Sequence, residues 1–101
     1  MGFNYKIENN EVIITGYNGK HSKSIEIPEF IEGSPVTKLF YWCFDEQSSI
    51  EEIIIHNSVK YINIGAFYKC TSLKQITIPN SVKYIAKDAF NGCISLSNIN
   101  I

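Results

Sequence analysis

With 101 residues, 45% of them hydrophobic and 19% charged, the chain has room for one domain with an ordinary apolar core. A net charge of -1 gives no basic footprint for nucleic acid, and no apolar run approaches the roughly 18 residues that cross a bilayer. Nucleic-acid binding and membrane insertion are therefore not expected, and three cysteines, an odd number, argue against a disulfide framework.

The opening residues, Met1-Gly2-Phe3-Asn4-Tyr5, contain no basic segment followed by an apolar one, so no signal peptide is expected in this sequence. Phe3, Tyr5, Ile7 and then Val12, Ile14 alternate around Glu8-Asn9-Asn10-Glu11, the pattern of two short strands joined by a polar turn. Gly16-Tyr17-Asn18-Gly19 comes next as a second turn. Residues 1–20 thus read as a β-hairpin cap, because the end unit of a stacked array must shield its last apolar layer.

A period of 23 residues governs the rest of the chain. Ile53, Ile55, Asn57, Ser58, Val59, Lys60, Tyr61, Ile62, Ala66, Phe67, Cys70, Ser72 and Leu73 recur as Ile76, Ile78, Asn80, Ser81, Val82, Lys83, Tyr84, Ile85, Ala89, Phe90, Cys93, Ser95 and Leu96. Such a period marks a solenoid, in which no unit buries its apolar face alone and stacked neighbours bury it together. Residues 50–72 and 73–95 are the second and third repeats, and 96–101 begin a fourth. Residues 21–49 are a divergent first repeat: Ile25-Glu26-Ile27-Pro28 matches Ile76-Thr77-Ile78-Pro79, and Val36, Leu39, Phe44 and Ile50 match Val59, Ile62, Phe67 and Leu73. Seven residues separate Pro28 from Val36 where two separate Pro79 from Val82, so five extra residues, centred on Phe30-Ile31-Glu32-Gly33, are expected to bulge as a loop. In each repeat the Leu73-to-Ile78 pattern predicts a strand ended by Pro79, Val82 and Ile85 a second inward contact, and Ala89-Phe90 a third on a short helical or irregular turn.

The order Leu-x-x-Ile-x-Ile-Pro-x-Ser-Val-x-x-Ile, then Ala-Phe-x-x-Cys-x-Ser-Leu, spelled by residues 73 to 96, resembles the BspA-like leucine-rich repeat, a 23-residue variant of bacterial surface proteins and some protists. The resemblance implies a right-handed leucine-rich-repeat solenoid of about three and a half coils, with a parallel β-sheet on one face and short strands, 3-10 or helical turns on the other. It also implies a protein-binding or adhesion module, extracellular or at the cell surface, whose partner is a host or extracellular-matrix protein. The general leucine-rich pattern places Asn or Cys where this chain has Ser58 and Ser81, which points to the variant.

Residues between the inward positions must face out, which predicts a strand face of four rungs: Lys23, Ser24, Glu26; Glu51, Glu52, Ile54; Lys74, Gln75, Thr77; and Ser97, Asn98, Asn100. One column, Lys23-Glu51-Lys74-Ser97, alternates charge, and such cross-strand pairs contribute about 0.2–1 kcal/mol each. Solvating and registering the sheet is the plainer role for this column; Ile54 is the face's one exposed aliphatic residue. A second candidate is Phe40, Tyr41 and Trp42, which stand where later repeats have Asn63, Ile64, Gly65 and Ala86, Lys87, Asp88. They form either an exposed patch of the kind that dominates binding hot spots or a satellite core under the Phe30-Ile31 insertion or against the hairpin. The shared repeat favours the packed arrangement. On the opposite face Lys60 is expected to stack on Lys83, and Tyr61 on Tyr84 with Lys38 beyond it.

Nothing points to catalysis, a metal or a cofactor. His56 and His21 are rungs apart, the cysteines fall at small inward positions, and no CxxC, HExxH, phosphate loop or calcium loop is present. An alternative to binding is a structural spacer or self-assembling segment, since Ile99-Asn100-Ile101 leaves an uncapped edge open to self-association. The aromatic question has a direct readout. Strong iodide quenching of Trp42 fluorescence is the outcome for an exposed patch, and a protected, blue-shifted emission that for a packed one.

Overall fold

β-Branched residues at spacing two build short strands here, and the stacking of coils pairs each strand with its counterpart one repeat away. The computed structural model describes residues 2–19 and 22–100; His21 and the Ile101 end of the edge lie outside them. Ten strands are present: β1 Phe3–Glu8, β2 Glu11–Tyr17, β3 Ser24–Ile27, β4 Phe30–Ile31, β5 Ser34–Leu39, β6 Glu52–Ile55, β7 Tyr61–Ile62, β8 Gln75–Thr77, β9 Tyr84–Ile85 and β10 Asn98–Asn100. They form a β-solenoid of about four turns without a helix among the described residues.

Two sheets bound the core. One has the order β10-β8-β6-β3, all parallel, with Ser24, Glu52, Gln75 and Asn98 in one row and Glu26, Ile54, Thr77 and Asn100 in another. The other has the order β1-β2-β5-β7-β9, in which β1 is antiparallel to β2 and the rest are parallel. Ile25, Ile27, Ile53, Ile55, Ile76 and Ile78 point inward from the first sheet, and Val12, Ile14, Val36, Leu39, Val59 and Ile62 from the second.

The cap does more than cover the stack. β1 and β2 turn through Asn9 and Asn10, both at positive φ, the backbone a two-residue hairpin with the strands' own twist requires. β2 then pairs in parallel with β5, Val12 opposite Val36, so the cap supplies a rung of the second sheet, which accounts for about four turns in place of three and a half. Gly16 and Tyr17 belong to β2, which runs through the first half of the expected turn. The insertion is likewise not a loose loop: β4 and the start of β5 form an antiparallel hairpin, Phe30 opposite Pro35, closed by Glu32 (φ 53°) and Gly33 (φ 80°). Glu32 accepts a hydrogen bond from the Tyr5 hydroxyl, tying this hairpin to the cap and raising the pKa of the phenol.

A third side of each coil is made of turns, where a helical turn was one of the expectations. Here the backbone itself bonds from coil to coil, Phe44 N–H to Ala66 O at 2.8 Å and Phe67 N–H to Ala89 O at 2.9 Å. Equivalent residues adopt positive φ in each coil, Trp42, Gly65 and Asp88 at one point and Glu46, Lys69 and Gly92 at the other. These left-handed positions turn the chain sharply enough to bring Phe44, Phe67 and Phe90 into one column. The rings stack at 5.5 and 5.4 Å between centroids, each pair 7° from parallel, and Phe3 and Tyr17 close the column at the cap end, 6.4 and 5.7 Å from Phe44.

The cysteines serve the same layer. Cys70 Sγ donates to Phe44 O and Cys93 Sγ to Phe67 O, both at 3.0 Å, and at the equivalent position of the first repeat Gln47 Nε2 donates to Tyr17 O at 3.0 Å. Cys43 and Cys70 are buried, as expected for small inward residues; Cys93 is only partly covered. Burial pushes the Cys43 thiol well up, and the neighbouring Cys93 sulfur, then burial, pushes the Cys70 thiol up. Cys93 is the easier of the pair to ionise, lowered to about 7 chiefly by the neighbouring Cys70 thiol.

The central ring of the column has no exposed surface and packs on both neighbours. Phe67→Ala should therefore cost about 3–5 kcal/mol, read as a fall in the urea midpoint, because neither adjacent coil can collapse into the gap without losing its own register. A loss below about 1 kcal/mol would mean the column is not what holds the coils together.

Candidate functional site

Two surfaces hold the residues singled out from the sequence. On the strand face the rungs are in the expected rows, but their side chains are largely engaged with one another. Gln75 Nε2 donates to Glu52 Oε2 at 2.5 Å, Ser24 Oγ to Glu52 Oε1 at 3.4 Å, and Lys74 Nζ lies 3.8 Å from Glu51 Oε1. His56, which replaces the repeat's proline, reaches back one rung to Glu26 at 2.9 Å, a partner sequence inspection missed. Lys23 is exposed and has no ion-pair partner among the described residues, so the alternating column closes at Lys74-Glu51 and not at Lys23-Glu51. Ile54 is half-buried between the flanking Glu26 and Thr77 rows, while Asn98 and Asn100 on the last rung are exposed. This surface is polar, and its middle rungs are largely satisfied by one another.

The aromatic run is placed differently from the packed arrangement expected. Because the insertion pairs with its own β5, it does not cover Phe40, Tyr41 and Trp42, and Phe30 itself is 57% exposed. Tyr41 and Trp42 are 50% and 44% exposed, and Phe40 is half-buried. Phe40 does lie beside the hairpin cap: its N–H donates to Ile14 O at 2.9 Å, and Lys6 Nζ sits 4.8 Å from its ring centre. Tyr41 stacks on Phe40 at 4.8 Å, 20° from parallel.

Trp42 is held by the next coil. Its indole covers Gly65, whose Cα carries no side chain to obstruct it, and meets the Tyr68 ring edge-on at 5.3 Å. A Cβ on Gly65 would fall 2.2 Å from Trp42 Cε3, and Gly65 is itself at φ 64°. The two αL positions in adjacent coils are thus a matched pair, a large ring in one and glycine in the other. With Tyr61 and Ile64, each about 40% exposed, the run forms a continuous apolar edge supported from below by backbone.

A cleft of about 350 Å³ opens beside this edge on the outer face of the second sheet. One register row crosses it, Lys6 opposite Ile13, Ile13 opposite Lys38, and Lys38 opposite Tyr61. Ile13 is buried between its row neighbours Lys6 and Lys38, in an apolar run, Val12-Ile13-Ile14, that departs from strand alternation. That unbroken apolar run was the one sequence signal for the cleft. Phe40 and Asn63 line it two residues along the row, and Asn63 Nδ2 is fixed by Leu39 O at 3.0 Å. Lys38 Nζ lies 5.8 Å from the Tyr61 ring centre, a cation over a π-face. Tyr84 is in register with Tyr61, but the two rings are not among the aromatic contacts of the described residues. Among the described residues no three His, Cys, Asp or Glu side chains converge on a point that could hold a metal.

Substituting Gly65 tests the matched pair directly. Gly65→Ala should destabilise by about 1–3 kcal/mol through overpacking and positive-φ strain, and should red-shift Trp42 emission as the ring swings out. An unchanged spectrum would show that the indole does not rest on Gly65.

No sequence match to a protein of curated function is found. Solved structures match closely: a leucine-rich repeat protein of T. pallidum (TpLRR; TM-score 0.93, 31% identity, 98% of this chain and 47% of that one), one of Bacteroides ovatus (0.86, 28%, 98% and 28%), and a leucine-rich cell surface protein of Faecalibacterium prausnitzii (0.83, 30%, 97% and 28%). The chain spans less than half the length of these relatives. The sequence profile of the BspA type leucine-rich repeat region matches residues 5–101 in six copies, reaching into the cap where β2 forms a rung. With the solenoid of parallel rungs, this establishes that the chain belongs to the BspA-type leucine-rich repeat family.

Proposed function

We propose that this repeat protein is a non-enzymatic protein-binding or adhesion module acting outside the cell or at its surface, and that it engages its partner through the Phe40-Tyr41-Trp42 edge. The observation that carries this reading is the exposure of Tyr41 and Trp42 on a rigid support, Trp42 resting on Gly65 and Tyr41 on Phe40. Aromatic side chains already fixed in place lose little entropy on binding and bring large apolar areas to an interface. A structural relative about 30% identical is a cell surface protein, which supports the location and a host or extracellular-matrix protein as partner.

A second reading, a structural spacer, is favoured by the strand face. Glu52 serves Ser24 and Gln75, Glu26 serves His56, and Glu51 serves Lys74, so those side chains register the sheet and present few free groups. The half-covered layer of Val82, Phe90, Cys93 and Leu96, with Ile85 and Ile99 exposed beside it, is a surface on which a further coil could stack.

Binding isotherms against immobilised extracellular-matrix proteins separate these readings. Tyr41→Ala and Trp42→Ala should each weaken a detected interaction about tenfold or more, on the order of 1.4 kcal/mol and upward, with Ile54→Lys and Gln75→Ala leaving it unchanged. The reverse pattern would move the function to the strand face, and a wild-type protein that binds none of them would favour the spacer.

A further inference from the structure

The cleft beside the aromatic edge has a chemistry of its own. Its two cations are not equivalent. Lys6 Nζ is 3.4 Å from Glu8 Oε2 and is already neutralised, while Lys38 has no carboxylate within ion-pairing distance among the described residues. Lys38 instead lies over Tyr61, and the stacked Phe40 and Tyr41 rings stand across from it over the buried floor of Ile13. An ammonium group over one aromatic ring, in a cleft that two more rings line, presents one unneutralised positive charge next to apolar surface. With Lys6 and Glu8 cancelling each other, the cleft carries a single net positive charge, which one carboxylate balances and a polyanion would exceed.

The geometry points to this cleft as the recognition pocket for an acidic-aromatic segment of the protein partner, a peptide carrying one carboxylate for Lys38 beside an aromatic side chain that packs on Phe40 and Tyr41. The inference rests on the protein-binding reading above and adds the partner's chemistry to it. Charge complementarity selects the carboxylate, since pairing Lys38 leaves every cation of the cleft matched. The rings select the neighbouring side chain, because an aromatic group can stack on Tyr41 without displacing Phe40 from Lys6. Asn63, with one amide N–H committed to Leu39 O, keeps its carbonyl oxygen and its second N–H to meet the peptide backbone.

The test uses the whole ¹⁵N-labelled protein titrated with three blocked peptides, Ac-Ala-Glu-Phe-Ala-NH2, Ac-Ala-Gln-Phe-Ala-NH2 and Ac-Ala-Glu-Ala-Ala-NH2, followed by amide shifts around Lys38, Phe40 and Asn63. The Glu-Phe peptide should bind at least fivefold more tightly than either control, and more weakly as salt is raised. Lys38→Met should abolish the preference of Glu over Gln while keeping a dispersed, folded spectrum, and Lys38→Arg should restore it. Equal affinity for the Glu and Gln peptides, a preference that survives in Lys38→Met, or shifts confined to other surfaces would overturn the inference. Partner capture that depends on Tyr41 without Glu-over-Gln discrimination would sink this pocket alone and leave the protein-binding reading standing. Peptide discrimination with no protein captured would do the opposite.

Discussion

Everything in this fold depends on three phenylalanine rings meeting face to face at a fixed interval along the chain. Phe44, Phe67 and Phe90 stack nearly parallel only if each coil consumes the same length between its ring and the next. That requirement explains where irregularity is tolerated. The five-residue insertion falls between Pro28 and Val36, at the corner joining the two sheets, where it folds back as a hairpin without altering the path to Phe44. In the turn layer the same insertion would break the column, the backbone bonds beside it, and the Cys70 and Cys93 contacts with the Phe44 and Phe67 carbonyls. The cap completes the column with rings set at steeper angles, Phe3 and Tyr17, which end the stack where parallel rings would invite another copy.

Stacking also makes neighbouring coils depend on each other's side-chain volume. The sharp turn of each coil needs a left-handed residue at the position of Trp42, Gly65 and Asp88. Trp42 lies down at this position only because the next coil offers glycine there, and Asp88 can follow because Gly65 covers nothing in its turn. An exposed indole is thereby held on backbone, which distinguishes the aromatic edge from an accidental surface ring. The strand face uses the same repetition to the opposite effect. Polar side chains one rung apart satisfy one another, and what is satisfied internally is less free to bind a partner.

Much of this was legible in advance. The 23-residue spacing aligned Glu52 with Gln75 and Ile54 with Thr77, and the same spacing lengthened by the five-residue insertion aligned Ser24 with Glu52 and Glu26 with Ile54, because in a stack of parallel strands equal repeat position means equal height on the sheet. The hairpin cap was implied by alternation around Asn9-Asn10, and the buried Cys43 and Cys70 by their placement at inward positions. Exposure of the aromatic run was not legible. Sharing a repeat with the insertion suggested a lid, but Glu32 and Gly33 form a tight turn that pairs the insertion with its own strand. Ile54 was expected to stand out and is half-covered in its row between Glu26 and Thr77.

The chain's own letters determined the repeat, its family, the strand register and the identity of the inward residues, because a period is a local property that survives translation along a stack. The tertiary structure alone decided which outward residues share a surface. Lys6 and Ile13 enter the cleft from the cap, which lacks the repeat spacing, and meet Lys38, Phe40 and Tyr61 only because β2 pairs with β5 as an added rung. Trp42 finds its support one coil away, and Tyr5 finds Glu32 across the insertion. Contacts between a repeating unit and a non-repeating one have no periodic signature, and the cleft is built from contacts of that kind.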